Sequence, residues 1–226
     1  MPDIAPVLIA IDVESNERSS NQITEIGIST VDTRELAGIA PDAHGSAWRD
    51  KIRSRHFRIK EYAHVQNTEF VRGNPSDFRF GTSEFVSLGD APAAIATCFR
   101  APFSGPVHPQ DSTTDDQTDG GLRKIVLVGH DFSNDIRYMR NLGYDVKNLS
   151  NLSKHSPILD TQGLYRMMTK AKDSPGLNSI LYDLDIVGWS LHNAGNDARY
   201  TMEALLGIVV KRASEREVNT GAGEGA

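Results

Sequence analysis

The sequence predicts a single α/β domain, and three observations support this class. The chain has 226 residues, 38% of them apolar, which is enough for one substantial core and short for two. Two short apolar runs, residues 7–11 and 125–128, have the length and composition of buried strands. Two later stretches, residues 135–142 and 202–210, carry apolar side chains at helical spacing. Strands and helices that alternate along one chain are typical of α/β domains.

The first predicted strand delivers two carboxylates to one face of a sheet. The apolar residues 7–11 run directly into Asp12-Val13-Glu14. Because side chains at i and i+2 of a strand point to the same face, Asp12 and Glu14 lie side by side. A buried strand rarely carries two such charges without a partner, and a divalent cation is the natural one. The alternative is that the strand simply ends here and its carboxylates meet water.

Two further acids lie at the beginnings of predicted helices. The second apolar run leads into Gly129-His130-Asp131, and Asp135 then opens a helical pattern that Leu142 closes and Gly143 could cap. Near the end of the chain, His192 precedes a second helical pattern by a few residues. Asp197 would lie in the first turn of that helix, with Asn196 as its candidate N-cap.

These three segments, taken in order, resemble a known family. Asp12-x-Glu14, Gly129-His130-x4-Asp135 and His192-x4-Asp197 are similar to the three motifs of the DEDDh 3'-to-5' exonucleases, members of the ribonuclease H-like superfamily. The resemblance runs from about residue 7 to residue 210, and residues 23–27 look like the second strand of the family. It implies an α/β fold with a ribonuclease H-like mixed central sheet and helices on both faces. The wording around the first and third motifs is most similar to a fungal branch that includes an exonuclease partnering an Argonaute in RNA silencing.

The resemblance also assigns the acids a role, and the chemistry of phosphodiester hydrolysis agrees with it. Two hard cations can stabilise both the attacking and the leaving oxygen of an in-line displacement. Carboxylates hold Mg²⁺ or Mn²⁺ while leaving coordination positions for water and phosphate. We therefore expect two divalent cations, Mg²⁺ or Mn²⁺, to be bound by four carboxylates: Asp12, Glu14, Asp135 and Asp197.

His192 is the predicted general base. An imidazole titrates near neutral pH, so it can accept a proton from the attacking water. A single histidine is more often a core or surface residue, but its spacing to Asp197 matches the family motif. His130 competes for this role, and the resemblance instead places it as a structural or substrate-side residue. By the same resemblance, Ser15 and Asn16 should lie beside the terminal nucleotide.

Two other aspartates could be mistaken for metal ligands. Asp131 stands where many relatives carry Asn, so it either adds an acid near the metals or forms a turn by bonding to the backbone. Residues 158–160 look like a final strand that runs into a helix. Asp160 is therefore expected to cap that helix instead of binding a metal.

The negative net charge of the chain does not exclude a nucleic-acid enzyme. The net charge is −6, whereas phosphate binding usually requires a basic surface. Four of the acids are assigned to metals, and residues 49–60 hold six basic side chains against one acid. These basic residues either keep a sheet edge from aggregating, which is the favoured interpretation, or contact phosphates.

The remaining segments give weaker expectations. Residues about 100–121 have the Pro, Gly, Ser and Asp content of a flexible loop, so the domain is expected to span residues 1–212, with a disordered tail at 213–226. Aromatic residues between positions 62 and 85 either pack a loop against the domain or stack on bases. The single cysteine, Cys98, and the lack of a long apolar run or secretory signal lead us to expect an intracellular protein, cytoplasmic or nuclear.

The function that follows is a 3'-to-5' exonuclease acting on single-stranded nucleic acid and releasing 5'-mononucleotides. RNA is favoured slightly over DNA, because of the silencing branch. Two alternatives stay open. The chain could be a catalytically vestigial nucleic-acid-binding or scaffold module with a protein partner in RNA silencing, or a phosphohydrolase of small nucleotides. The sequence says nothing about the oligomeric state.

Overall fold

The computed structural model describes residues 5–104 and 123–221, with side chains up to residue 216. Within these residues six strands form one mixed sheet in the order β4-β3-β2-β1-β5-β6. The β1–β2 and β2–β3 pairs are antiparallel, whereas β3–β4, β1–β5 and β5–β6 are parallel. The strands are β1 (Val7–Asn16), β2 (Ser19–Asp32), β3 (Arg53–Ile59), β4 (Glu84–Val86), β5 (Ile125–Gly129) and β6 (Ile158–Asp160).

The central strands are buried on both faces, which explains their unbroken apolar sequence. Every residue of β5 is buried, and so is β1 from Val7 to Ile11. Strands covered on both faces read as continuous apolar runs instead of alternating patterns. Parallel pairing between β1 and β5 stops at Ala10 and Val128, so β1 continues past its neighbour with only β2 beside it. Asp12 and Glu14 lie in this extension, inside the strand and not at its end as predicted.

Helices cover both faces of the sheet, as the resemblance implied. They are α1 (Ala91–Ala96), α2 (Ser133–Asn141), α3 (Thr161–Thr169), α4 (Leu177–Asp183) and α5 (Ala194–Gly221). On one face, Ile9, Ile11 and Val13 of β1 pack with Ile95 of α1 and Met139 of α2. On the other face, Leu8 and Ala10 pack with Met202 and Leu205 of α5. Alternate residues of the same strand therefore serve two separate cores.

Helix α5 is buried around most of its circumference over its first half. From Ala194 to Ile208 every residue except Arg199 is buried, because the sheet covers one side and α3 and α4 cover another. A helix that is apolar on all sides is expected in such a position. Its buried Glu203 is paired with Arg199 at 2.6 Å, one helical turn away.

The predicted N-cap of this helix was wrong by three residues. Asn193, not Asn196, accepts the early helical N–H: its Oδ1 receives the amide of Asn196 at 3.1 Å. Asn196 lies inside the first turn. Its side chain receives the amide of Arg79 and donates to the carbonyls of Asp77 and Ser190. Asn196 therefore holds two loops against the helix, a role that only tertiary contacts reveal.

Two predicted segments differ from the structure or lie outside it. Helix α5 continues to Gly221, so residues 213–221 of the expected tail are helical. The rest of that tail, residues 222–226, and most of the expected loop, residues 105–121, lie outside the described residues. Among the helices that are described, none is long and apolar enough to cross a membrane.

Basic side chains of residues 49–60 form ion pairs within the protein. Arg53 contacts Glu35 at 2.5 Å, and the guanidinium of Arg55 donates two bonds of 2.7 Å to the carboxylate of Glu84. Because β4 covers only residues 57–59 of β3, the first half of β3 does lie at the margin of the sheet. The aggregation-edge interpretation is therefore incomplete, because these charges are neutralised by specific acids.

The aromatic segment divides into packed and exposed members. Phe78 and Phe80 pack with each other and against His56 and Tyr200, which agrees with the packing interpretation. Phe70 and Phe85 are exposed.

Candidate active site

The extension of β1 beyond β5 places the carboxylates of the first motif. Asp12 pairs with Gly27 of β2, and Glu14 pairs with Glu25. Directly opposed residues of adjacent strands point to the same face, which is the face that α5 covers. The register then shifts after Glu14, so the strand bends at the residue where the carboxylates are presented. Irregularities of this kind often lie next to active sites.

Asp135 reaches the same place from the opposite side of β1. It lies in the first turn of α2, as predicted, and is buried. Its Oδ1 accepts the backbone N–H of Val13 at 2.9 Å. Since β5 no longer pairs with β1 at this point, that N–H would otherwise lack a partner. The bond fixes Asp135 to the backbone of Val13, the residue between Asp12 and Glu14.

Asp197 enters from the first turn of α5. Its Oδ2 accepts the backbone N–H of His192 at 2.8 Å. Its Oδ1 is buried and has no hydrogen-bond partner among the described residues. A buried carboxylate oxygen without a donor is costly, because it has lost water and gained nothing. A cation is the group that would satisfy it.

The four predicted ligands repel one another in the absence of metal. Burial, followed by the charges of Asp197, Asp135 and Glu14, holds the pKa of Asp12 well above its ordinary value. Burial also raises the pKa of Glu14 to about 7, with a further contribution from Glu25. Such perturbed carboxyls are expected where a cation is meant to bind.

The pKa of Asp135 and Asp197 is shifted in the same direction. Burial raises the pKa of Asp135 to about 7, although the bond from Val13 opposes this change. The pKa of Asp197 is raised well above its ordinary value by burial and then by Glu14. The structure therefore brings all four acids of the predicted set into one electrostatically coupled group.

His192 joins this group at its open side. One ring nitrogen of His192 and one oxygen each of Glu14 and Asp197 lie within 4.8 Å of one another. His192 is exposed, has a left-handed backbone with φ of 61°, and its pKa is lowered by burial of part of the ring. This position suits a base that receives a proton, and it also suits a third ligand to a cation held by Glu14 and Asp197.

Ser15 and Asn16, the residues predicted to lie beside the terminal nucleotide, have different surroundings. Ser15 lies next to Glu14, and its hydroxyl donates to Tyr138 at 3.3 Å. Asn16 is engaged in the β1–β2 turn, where it donates to Gln22 and accepts the amide of Arg18. These bonds occupy the side chain of Asn16, and no contact links it to the carboxylates.

His130 is not part of the cluster. Its Nδ1 lies 3.0 Å from the hydroxyl of Thr161 at the start of α3, and burial lowers its pKa. Asp160 directly precedes Thr161, and its two carboxylate oxygens accept the amides of Gly163 and Phe132. Asp160 is therefore the cap of α3, as predicted.

Asp131 is a turn residue. It is exposed and has a φ of 52°, a conformation that Asn and Asp tolerate better than most residues. This explains why Asn is an equivalent choice at the position.

Sequence reasoning missed a buried pair next to the acids, Glu25 and His56. The Nε2 of His56 lies 2.9 Å from Oε2 of Glu25, and its Nδ1 lies 2.9 Å from the hydroxyl of Ser83. The same Glu25 oxygen receives the amide of Ala194, the first residue of α5, at 3.4 Å. A signal was present, because Glu25 lies among Ile23, Ile26 and Ile28 in a predicted strand, and a charge inside a buried strand needs a partner.

Comparison with known proteins agrees with the family that the three motifs resemble. The profile of a family described as DEDDh_C, DNA polymerase III subunit epsilon-like, C-terminal domain, matches residues 7–208. The chain is 29% identical over 198 residues to "Uncharacterized nucleolar protein C2C4.08" of Schizosaccharomyces pombe, covering 87% of this chain and 66% of that protein. It is also 29% identical over 214 residues to "Uncharacterized protein YDR514C" of Saccharomyces cerevisiae, covering 88% of this chain but only 40% of that one.

Solved structures share the fold at low sequence identity. Exonuclease I superposes with a TM-score of 0.54 and 12% identity, over 90% of this chain and 40% of the other. The nuclease domain of 3'hExo, a DEDDh family member solved with bound rAMP, superposes with a TM-score of 0.52 and 9% identity, over 94% and 95% of the two chains. The family profile spans nearly the whole described domain, and the four acids predicted from the sequence lie close together in the structure. The chain therefore belongs to the DEDDh family of exonuclease-like domains with the ribonuclease H-like fold.

Proposed function

We propose that this protein is a metal-dependent 3'-to-5' exonuclease that hydrolyses single-stranded nucleic acid to 5'-mononucleotides. One observation carries the proposal: four carboxyls with raised pKa meet beside the part of β1 that extends past β5, and one of them, Asp197, has a buried oxygen without a hydrogen-bond donor among the described residues. A binding surface for nucleic acid alone would not require this concentration of acids, because they repel phosphate.

The donor set fits two hard divalent cations. Carboxylate oxygens are the ligands that Mg²⁺ and Mn²⁺ prefer, and Asp12, Glu14, Asp135 and Asp197 would hold them. Bound there, the cations would stabilise the charge that develops on the attacking and leaving oxygens of the phosphodiester.

The remaining residues would handle the proton and the strand end. His192, at the open side of the group, would take the proton of the attacking water. Ser15, directly after Glu14, would contact the terminal nucleotide. RNA is the preferred substrate in this proposal, and a protein partner in RNA silencing stays a prediction of the resemblance.

The test is hydrolysis of end-labelled RNA and DNA oligomers in Mg²⁺ or Mn²⁺. We expect stepwise shortening from the 3' end, complete inhibition by EDTA, resistance of a 3'-phosphorylated oligomer and no cleavage of a circular strand. Asp12→Asn should abolish turnover while the protein stays folded. Asp131→Asn is the matched control, because it removes the same charge from an exposed turn where Asn is tolerated, and it should remain active.

Four outcomes would contradict the proposal. Activity that survives EDTA or Asp12→Asn would remove the metals from the mechanism. Cleavage of the circular strand would indicate an endonuclease. Binding of oligomers without any turnover would favour the vestigial module, whereas turnover confined to mononucleotides would favour the small-nucleotide phosphohydrolase.

A further inference from the structure

A cavity lies two strands away from the carboxylates, on the same face of the sheet. Glu14 pairs with Glu25, Glu25 with Arg58, and Arg58 with Phe85, so these four residues form one row across β1, β2, β3 and β4. With about 4.8 Å between neighbouring strands, Arg58 is roughly 10 Å from Glu14 along the row. The cavity has a volume of about 310 Å³ and is lined chiefly by Arg58, Ser76, Phe78, Thr82, Ser83 and Phe85.

Arg58 differs from the other arginines of its strand in having no acid to neutralise it. Arg53 and Arg55 are each paired with a glutamate. Among the residues that the structure describes, no carboxylate lies within ion-pair distance of Arg58. Its Nη2 donates to the carbonyl of Ala63 at 2.8 Å, which orients the guanidinium without cancelling its charge. An oriented, uncompensated guanidinium is suited to a phosphate.

Aromatic and hydroxyl groups surround this charge. The guanidinium carbon of Arg58 lies 5.0 Å from the centre of the Phe85 ring, and Phe85 is 49% exposed although it is a large apolar residue. Serine and threonine hydroxyls that also line the cavity can donate to phosphate or to base edges. A positive charge beside an open aromatic ring is the combination that binds single strands without reading their sequence.

The cavity is also joined physically to the acid group. Ser83, which lines the cavity, bonds to His56, and His56 bonds to Glu25 next to Glu14. Phe78 also connects the two places. Its ring centre lies 5.2 Å from that of His56, and its ring lines the cavity. The two places are therefore fixed relative to each other by buried contacts.

We propose that this cavity is a second binding site for the substrate strand, in which Arg58 holds a phosphate and Phe85 stacks on a base upstream of the cleaved nucleotide. The inference rests on the proposed function, because it assumes that a single strand enters the carboxylate site. It adds that the enzyme grips the strand at two points. Oligomers long enough to reach both should bind more tightly than dinucleotides.

The experiment measures binding without turnover, so that it does not depend on catalysis. Fluorescence anisotropy of a labelled single-stranded decamer and of a labelled dinucleotide, in Ca²⁺, gives Kd for the unaltered protein and each variant over a range of salt. We expect Arg58→Ala to raise Kd of the decamer about tenfold. It should also reduce the slope of log K against log salt by about 0.7, the value for one phosphate contact on a single strand. Kd of the dinucleotide should not change.

Two further variants keep the result interpretable. Phe85→Ala, at an exposed position, should raise Kd of the decamer roughly five- to hundredfold with little change in the salt slope, because stacking is not ionic. Lys60→Ala is the matched control: it removes one positive charge at the residue that follows the same strand, is exposed and does not line the cavity. It should leave Kd within about twofold, and thermal unfolding of each variant verifies that it is folded.

The proposal is overturned if Arg58→Ala and Lys60→Ala have the same effect, or if Arg58→Ala weakens the dinucleotide as much as the decamer. The proposed function fails separately, through absence of hydrolysis in Mg²⁺ or Mn²⁺. A protein that binds the decamer through Arg58 but never cleaves it would retain this site and lose the exonuclease.

Discussion

The position of His192 permits two different roles, and an experiment can separate them. As a base it would accept a proton, and as a ligand it would complete a cation site with Glu14 and Asp197. The two roles differ in what happens to metal affinity when the imidazole is removed. They also differ in the pH dependence of the rate, since only a base must be free to titrate during turnover.

We expect His192→Ala to lower turnover by about 10² to 10⁴ while leaving the affinity for Mg²⁺ or Mn²⁺ nearly unchanged. A base must be neutral to accept a proton, so the rate should rise with pH through the pKa of His192. Burial lowers that pKa, which places the acid limb below 6.5, the ordinary value for histidine. The variant should lose this limb. The measurements are rate against pH and metal titration by calorimetry.

The control is His130→Ala, which removes a half-buried imidazole at the start of α3. It should retain the acid limb, because His130 bonds to Thr161 and not to the acid group. A large loss of metal affinity in His192→Ala would identify His192 as a ligand. Disappearance of the limb in His130→Ala would mean that the wrong histidine was chosen.

At the scale of elements, the site depends on how closely β2 and α5 approach. Gly27 lies in β2 opposite Asp12, and a Cβ at this position would overlap the carbonyl of Ala194 at the start of α5. Gly195 is similarly confined, with the Cβ of His56 at 2.7 Å from its own hypothetical Cβ. The absence of side chains at both positions lets the helix deliver Asp197 to the strands.

Gly27→Ala should therefore lower both stability and activity. We expect a loss of about 1 to 3 kcal/mol in the free energy of unfolding, the usual cost of overpacking. Turnover should fall by about 10², because displacing α5 by roughly 1 Å misplaces Asp197. Thermal unfolding and initial rates measure the two effects.

Gly176→Ala provides the comparison for that variant. Nothing lies within 4 Å of its hypothetical Cβ, and its φ of −71° suits any residue. It should have wild-type turnover and nearly wild-type stability. Normal activity in Gly27→Ala would show that the contact between β2 and α5 is not what positions Asp197.

At the scale of the whole molecule, the acid group makes the metal-free protein less stable as pH rises. In the unfolded chain Glu14 and Asp135 ionise near 4.5 and 3.8, whereas in the folded protein their pKa is about 7. Between these values the folded state binds more protons than the unfolded state. The free energy of unfolding therefore falls as pH rises from about 4 to about 7.

We expect the melting temperature in EDTA to decrease over this interval and Mg²⁺ or Mn²⁺ to restore it near pH 8, since ligands that bind only the folded state stabilise it. Asp12→Asn should raise the melting temperature of the metal-free protein near pH 8 and reduce the pH dependence. Calorimetry at several pH values measures both. A melting temperature in EDTA that stays flat or rises across the interval, with the variant unchanged, would contradict this account of the acid group.

The sequence by itself predicted the central strands β1 and β5, the beginnings of helices α2 and α5, and the four acids that the structure brings together. Apolar runs at 7–11 and 125–128 predicted buried strands, and the position of Asp135 and Asp197 at the beginnings of helices followed from helical spacing. Local periodicity is enough for such features because it depends on neighbours along the chain. The order of the three motifs then led to the family, and through it to the mixed sheet.

Only the tertiary structure decided what depends on the register between strands and on contacts between distant loops. Asn193, not Asn196, caps α5, because Asn196 is held by a loop, residues 77–79, that is more than a hundred residues away in sequence. The row from Glu14 to Phe85 and the Glu25–His56 pair arise from the pairing of four strands. A one-residue shift in register would move these side chains to the opposite face, and no pattern within a single strand records that choice.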